Sequence, residues 1–208
     1  GYMRKRRMKE VPVCQLQGVY QDKNQQTAFV ALQILRNICG VELSKEAIAK
    51  GFAEVCTLTG LRGRWEVLSQ KPLTICDTGH NGHGLRYVAE QLSGLIASSP
   101  HRLHIVFGMV NDKDIDTVLG LLPENAVYYF TQPATSRALP AEELCRRWHA
   151  LHPIANCQSP IANRQSPISA FSTVREALAA AQRAASADDI IFIGGSNYVV
   201  GEALSVRL

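Results

Sequence analysis

Four short apolar runs separated by helix-length amphipathic segments constrain this chain more than any other feature. The runs are "LTICD" (73–77), "LHIVFG" (103–108), "AVYYFT" (126–131) and "DIIFIGG" (189–195). Between them, apolar residues recur at helical spacing over 83–97, 114–122, 140–151 and 173–186. Strands that alternate with helices predict an α/β layered domain with a largely parallel sheet. In such sheets ligands gather at the carboxyl ends of the strands. The residues at those ends, "DTGHN", "GMVNDKD", "TQPATSRA" and "GGSNY", are far more polar and glycine-rich than the opposite ends. One rim of the sheet is therefore the expected functional edge.

The residues before this theme read differently. "VPVCQLQGVY" (11–20) alternates loosely and is expected to be a strand. "NQQTAFVALQILRNICG" has helical periodicity and ends at Gly40, a residue suited to a helix C-terminus. "LSKEAIAKGFAEV" is expected to form a second helix with Ser44 as N-cap. "TLTGLRG" (57–63) breaks both patterns and is read as a hinge, dividing the chain into 1–60 and 61–208. The tandem near-duplicate "ANCQSPI"/"ANRQSPI" (155–168) suits a surface loop or edge extension, and no function is assigned to it.

Composition narrows the classes of function. With 208 residues, 46% apolar and 19% charged, the chain resembles an ordinary globular protein able to bury a core. The net charge of +4 is concentrated in "RKRRMK" (4–9), read as a solvated terminus, and no aromatic-interleaved basic stripe points to nucleic acid. The six cysteines (14, 39, 56, 76, 145 and 157) form no CxxC pair, which fits a reducing cytoplasm. No apolar segment approaches the ~18 residues of a membrane span, so neither a membrane nor a nucleic-acid partner is expected, and a monomer is. Gly1 reads as an expression scar, and the chain enters a strand-like segment as abruptly as a fragment would.

"TICDTGHNGHG" (74–84) admits two chemistries. Cys76, Asp77, His80 and His83 resemble the start of a metal site, with His101 and His104 as further ligands. However, His101 and His104 flank the start of a predicted strand, near the rim opposite His80, so the set does not converge on one zinc ion. The other chemistry is anion binding, by backbone N–H groups where a helix begins after Gly79, Gly82 and Gly84. On this motif alone, a strand-to-helix connection without a ligand is an equal reading.

The ordered set of motifs shifts that balance. "LQGVYQDKNQQTA", "GRWE", "DTGHN", "FGMVNDKDI", "SRA" and "GGSNYVVGE" follow one another along nearly the whole chain. Together they resemble the carboxyl-terminal half of folylpolyglutamate synthase/dihydrofolate synthase, a branch of the Mur ligase superfamily. The resemblance implies a Rossmann-like carboxyl-terminal domain at 61–208, preceded at 1–60 by the tail of a central ATP-binding domain. It further implies an ATP-dependent ligase that activates a carboxylate as an acyl phosphate and joins L-glutamate to dihydropteroate or a folate. Such chemistry needs positioning and charge neutralisation, with no protein nucleophile.

The same resemblance implies roles for individual residues. Asn24 would contact the adenine edge of ATP, or else cap the helix that follows. Arg64 would reach the ATP phosphates, a task suited to a planar donor fork; otherwise it is a solvated loop residue. Asp77 would lie near the ribose, with His80 and Asn81 facing the nucleotide or the incoming glutamate. Alternatively, Asp77 caps the turn and His80 is a hydrogen-bonded turn residue. Ser196 would lie near glutamate, and Arg137 and Lys113 would hold its carboxylates. Asp112 and Asp114 around Lys113 equally suit a plain turn with helix-capping acids. Magnesium is expected with ATP, its ligands mostly supplied from outside these residues.

Two departures qualify the resemblance. The family turn reads D-G-A-H-N-P, whereas this chain carries Thr78, Gly79 and Gly82. No G-x-x-G-K-[ST] phosphate loop occurs in the chain, so a fragment that is inactive alone is expected. Other Mur-type ligases acting on a peptidoglycan precursor, and a non-catalytic α/β binding module, are the competing classes.

Overall fold

The computed structural model describes residues 11–97, 101–111, 114–153 and 168–206. Lys113, Asp112, the basic run at 4–9 and nearly all of the duplicated segment lie outside the described residues. The chain divides into two compact units between Arg62 and Gly63.

The first unit contains helices α1 (Gln21–Asn37), α2 (Lys45–Ala53) and α3 (Val55–Thr59). Ser44 caps α2 as expected, its hydroxyl accepting from the Ala47 N–H at 2.9 Å. Residues 11–20 do not form the expected strand. Their polar groups are taken by helices instead of a ladder partner. The Gln15 N–H donates to the Phe52 carbonyl at 3.0 Å, and its carboxamide oxygen accepts from the N–H groups of Cys56 and Thr57. Residues 57–59, expected within a hinge, belong to α3, which ends on Gly60 at φ +69°. That left-handed conformation is one glycine adopts without steric cost.

The second unit is a six-stranded sheet with helices on both faces. Its strands are β1 (Glu66–Gln70), β2 (Leu73–Cys76), β3 (Leu103–Phe107), β4 (Val127–Thr131), β5 (Ile168–Phe171) and β6 (Ile190–Gly194). They lie in the order β1-β2-β6-β3-β4-β5, with only β1 antiparallel to its neighbour. Helices α4 (Gly82–Ala97), α5 (Ile115–Leu119), α6 (Ala141–Leu151), α7 (Val174–Ala184) and α8 (Asn197–Ser205) connect and follow the strands. The mostly parallel sheet flanked by helices is the architecture that the alternating pattern predicts. Neither β1 nor β5 stands out in that pattern. α5 is shorter than expected, beginning after Asp114, whose carboxylate accepts from the Thr117 N–H at 3.3 Å.

Strand periodicity sorts the core into two layers. Ile105, Phe107, Tyr128, Phe130 and Phe192 pack on one face with Leu85, Val88, Leu92, Leu119, Leu144 and Trp148 of α4, α5 and α6. Val106, Tyr129, Ile191 and Ile193 pack on the other with Ala177, Leu178, Val199 and Ala203 of α7 and α8. Central β3 and β6 are buried at every position, which explains their continuous apolar runs. Because β6 inserts between β2 and β3, the carboxyl ends of these strands flank a topological switch point, where ligands of open α/β sheets bind.

The amino-terminal rim carries a buried polar cluster. His104, 1% exposed, places Nδ1 3.0 Å from the Tyr129 hydroxyl and Nε2 3.5 Å from the Asp189 carboxylate. Burial lowers the His104 pKa from its usual 6.5, while bonding to and the charge of Asp189 act upward and the Arg102 charge acts downward. Burial also opposes ionisation of Asp189. The N–H groups of Ser186 and Arg102 overcome it and hold that carboxyl at about 2. Both shifts make acid destabilising, in separate windows. As pH falls below about 6.5 the unfolded chain takes up the His104 proton before the folded one does. Below its usual 3.8, Asp189 adds a second loss that continues toward about 2. Thermal melts across pH 8 to 3 are therefore expected to fall in two steps. His104→Gln should flatten the upper one, and an unchanged upper step in that variant would rule out His104 as its source.

Candidate functional site at the carboxyl rim of the sheet

The turn after β2 is built around Asp77. This side chain is 1% exposed, and its carboxylate accepts from the Trp65 N–H at 2.8 Å and the Gly79 N–H at 2.7 Å. The arrangement corresponds to the turn-capping alternative, and a ribose hydroxyl would have to compete with backbone donors for these oxygens. Trp65 is the one non-glycine residue at positive φ (+50°) among the described residues. Its ring lies 6.3 Å from that of Phe192.

Three further contacts tie residues 63–66 to this turn or to one another, and a fourth lies within the turn. The Thr78 N–H donates to the Gly63 carbonyl at 2.9 Å, and the Gly63 N–H donates to Glu66 Oε2 at 2.8 Å. Half-buried Arg64 donates through Nη1 to the Thr78 hydroxyl, so it is docked rather than a solvated loop side chain. His80 Nδ1 lies 2.9 Å from the Thr78 carbonyl. A carbonyl only accepts, so this bond assigns the ring proton to Nδ1 and leaves Nε2 as the acceptor of the neutral ring. Asn81 is exposed and caps α4, its carboxamide oxygen accepting from the Gly84 N–H at 2.8 Å.

At this rim, the ends of β2, β6 and β3 approach backbone to backbone. The Asp77 N–H donates to the Ile193 carbonyl at 3.0 Å, and the Gly108 N–H to the Gly194 carbonyl at 3.3 Å. Ser196, 2% exposed, caps α8 by accepting from the Val199 N–H at 3.2 Å. Its hydroxyl can still donate, but the sequence motif alone does not reveal the capping role. The N-termini of α4 and α8 thus both open at this rim, where their partial positive charge favours anions.

Exposed Arg137 lies on the segment after β4. The Asn111 N–H donates to its carbonyl at 2.8 Å, Val110 and Ala138 form a bridge, and the Leu139 N–H reaches the Met109 carbonyl at 2.9 Å. On the other side, the Ala134 N–H donates to Glu202 Oε1 at 2.6 Å. Glu66 and Glu202 close the "GRWE" and "GGSNYVVGE" motifs, yet the sequence assigns neither a role. Nor does it single out Thr78, whose one signal is the departure from the glycine of the family turn.

The structure brings together Arg64, Asp77, His80, Asn81 and Ser196 on the loops that follow β2 and β6 and lead out of the linker. Lys113 falls outside the described residues. Asn24 belongs to the first unit. It does not cap α1, because it lies inside that helix, donating to Gln21 Oε1 at 3.0 Å. It lines a cavity of about 400 Å³ whose walls include Leu16, Ala28, Ile48 and Phe52. No group of three His, Cys, Asp or Glu side chains able to hold a metal ion occurs among the described residues. Exposed His83 instead sets its ring edge-on to Tyr87 at 5.3 Å. No helix among the described residues is long and apolar enough to cross a membrane.

Residues 63–197 match the family model for the Mur ligase, glutamate ligase domain. The dihydrofolate synthase/folylpolyglutamate synthase of Escherichia coli (strain K12) is 30% identical over 183 residues, 88% of this chain and 38% of that protein. A probable bifunctional folylpolyglutamate synthase/dihydropteroate synthase of Haloferax volcanii is 29% identical over 188 residues, 90% of this chain and 20% of that protein. The ligand-free crystal structure of the bifunctional folylpolyglutamate synthase/dihydrofolate synthase of Yersinia pestis superposes with a TM-score of 0.71 at 26% identity, covering 97% of this chain and 42% of that one. A crystal structure of such an enzyme with Mn, AMPPNP and L-glutamate bound also gives 0.71 at 26% identity, over 97% of this chain and 43% of that one. The chain spans about two fifths of the length of the Escherichia and Yersinia proteins.

Proposed function

The chain belongs to the Mur ligase family through its glutamate ligase domain, and from that membership we propose that it forms part of an ATP-dependent ligase joining L-glutamate to dihydropteroate, a folate, or both. One observation carries the reading: Arg64, His80, Ser196 and two helix N-termini open on a single rim at the topological switch point of the sheet. A site that must hold phosphate and carboxylate groups without a nucleophile needs donors such as Arg64, the Ser196 hydroxyl and the helix N-termini, with the His80 ring beside them as a proton acceptor.

In the proposed reaction the acceptor carboxylate takes the γ-phosphoryl group of ATP, releasing ADP. The glutamate amine then attacks the acyl carbon, the C–N bond forms, phosphate leaves, and the nitrogen loses its proton. Arg64 is assigned to the phosphates, where a guanidinium pairs two oxygens at once. His80 Nε2 is assigned to accept the proton from the attacking amine, a reading supported by the bond of Nδ1 to the Thr78 carbonyl. Arg137 and Lys113 are assigned to the glutamate carboxylates, with the Ser196 hydroxyl donating beside them. Asn24 is assigned to the adenine edge, a reading supported by the largely apolar cavity it lines. Asp77 is assigned to the nucleotide region through the backbone it holds. The described residues do not form a magnesium site by themselves, and no step is drawn through that ion. The first unit is read as a portion of a larger ATP-binding domain.

The test is glutamate incorporation by a fusion of this chain to the portion of the Escherichia coli relative that it does not match. ATP-dependent incorporation into dihydropteroate or tetrahydrofolate is expected from a fusion that melts cooperatively, and none from the chain alone. Incorporation into a muramyl peptide precursor instead would move the enzyme to the cell-wall branch. Incorporation by the chain alone would overturn the fragment reading.

A further inference from the structure

Thr78 makes three contacts, two with the adjacent linker residues Gly63 and Arg64 and one with His80 of its own turn. Its hydroxyl accepts from Arg64 Nη1, its N–H donates to the Gly63 carbonyl at 2.9 Å, and its carbonyl accepts from His80 Nδ1 at 2.9 Å. The residue is 8% exposed, and its methyl group would lie 3.0 Å from a Cβ placed on Gly63. The two backbone contacts would form with any residue at this position. The hydroxyl is the part that only serine or threonine supplies in so small a side chain, and a cation is its partner.

We propose that Thr78 is a positioning residue that presets Arg64 for the nucleotide phosphates. The proposal rests on the assignment of Arg64 given above. An arginine side chain loses much rotamer freedom when it closes on a ligand. Docking Nη1 on a buried hydroxyl removes part of that loss before the nucleotide arrives. A guanidinium has five N–H donors, so this contact leaves the planar fork able to pair phosphate oxygens. The same residue orients His80, so the phosphate-facing cation and the proton acceptor are set by one turn.

Thr78→Val keeps the side-chain shape and removes the acceptor, Thr78→Ala is a second acceptor-free variant, and Thr78→Ser retains the hydroxyl. In the isotopically labelled chain, the Arg64 side-chain N–H signals, assigned by their loss in Arg64→Lys, are expected to exchange slowly with water. That protection should persist in Thr78→Ser and disappear in the valine and alanine variants while far-UV circular dichroism stays the same. In the fusion ligase, Thr78→Val is expected to raise KM for ATP roughly three- to tenfold, the cost of ordering one long side chain. KM for glutamate should stay unchanged, and Thr78→Ser should restore the wild-type KM for ATP. Equal protection of Arg64 in all variants, or an unchanged KM for ATP in an active Thr78→Val enzyme, would overturn the role of Thr78 alone. A cooperatively folded wild-type fusion that ligates nothing would overturn the proposed function, and this role with it.

Discussion

Asp77→Ala is expected to destabilise the second unit by about 3 kcal/mol, the scale of losing hydrogen bonds to a charged acceptor in the interior. Asp77 is 1% exposed and accepts from the N–H groups of Trp65 and Gly79 at 2.8 and 2.7 Å. Removing it leaves the Trp65 N–H beside an apolar methyl group. Trp65 also holds φ at +50°, a region that costs a non-glycine residue roughly 1–2 kcal/mol. The carboxylate bond offsets that cost, so its loss releases the residue next to Arg64. Urea unfolding followed by tryptophan fluorescence and far-UV circular dichroism measures the effect. The proposed ligation should be lost as well, because Arg64 and Thr78 flank the two segments that Asp77 joins. If Asp77 acted on ribose alone, the midpoint would hold and only nucleotide affinity would fall. Asp77→Asn is expected to behave more like alanine than like wild type, since one end of an amide is a donor facing a donor.

The layered fold is legible because buried strands and amphipathic helices write different periods into the sequence. β3 and β6, covered on both faces, appear as uninterrupted apolar runs. β1 escapes notice because an antiparallel edge strand, half-exposed and with a register shift between Val67 and Ser69, needs no such run. β5 escapes because "ISAF" is short and its middle residues are exposed. The strand expected at 11–20 fails for the opposite reason. Its loose alternation carries the residue types of a strand, but its hydrogen bonds go to α2 and α3. Of the candidate site, the sequence makes legible which turns share one rim of the sheet. The site is not legible at the level of what each side chain does there, because Asp, Asn and Ser serve as helix or turn caps with the same atoms they would offer a ligand. Asn81 and Ser196 both cap the helices that follow them. The role of Thr78 requires the position of Arg64, fourteen residues away.

Gly108→Ala and Gly195→Ala are each expected to cost at least about 3 kcal/mol, at the upper end of overpacking penalties. A Cβ on Gly108 would sit 2.4 Å from the Thr131 carbonyl oxygen and 2.9 Å from Val199 Cγ2. One on Gly195 would sit 2.6 Å from the Gly108 carbonyl oxygen, at a backbone φ of +94°. A flexible side-chain tip can swing away from a new methyl group. A carbonyl at the end of a buried strand moves only if the sheet moves. The strain should therefore spread to Ser196 and Thr131, and to the loop that carries Arg137. Gly94→Ala is the matched control. A Cβ on Gly94, within α4, would meet no atom within 4 Å, and alanine there is expected to stabilise by up to about 1 kcal/mol through helix propensity. Chemical denaturation of the three variants compares them directly. A Gly108→Ala midpoint matching that of Gly94→Ala would mean that β3 and β4 do not close on each other at this rim. The close backbone approach that shapes the proposed glutamate site would then be absent, whatever the side chains around it.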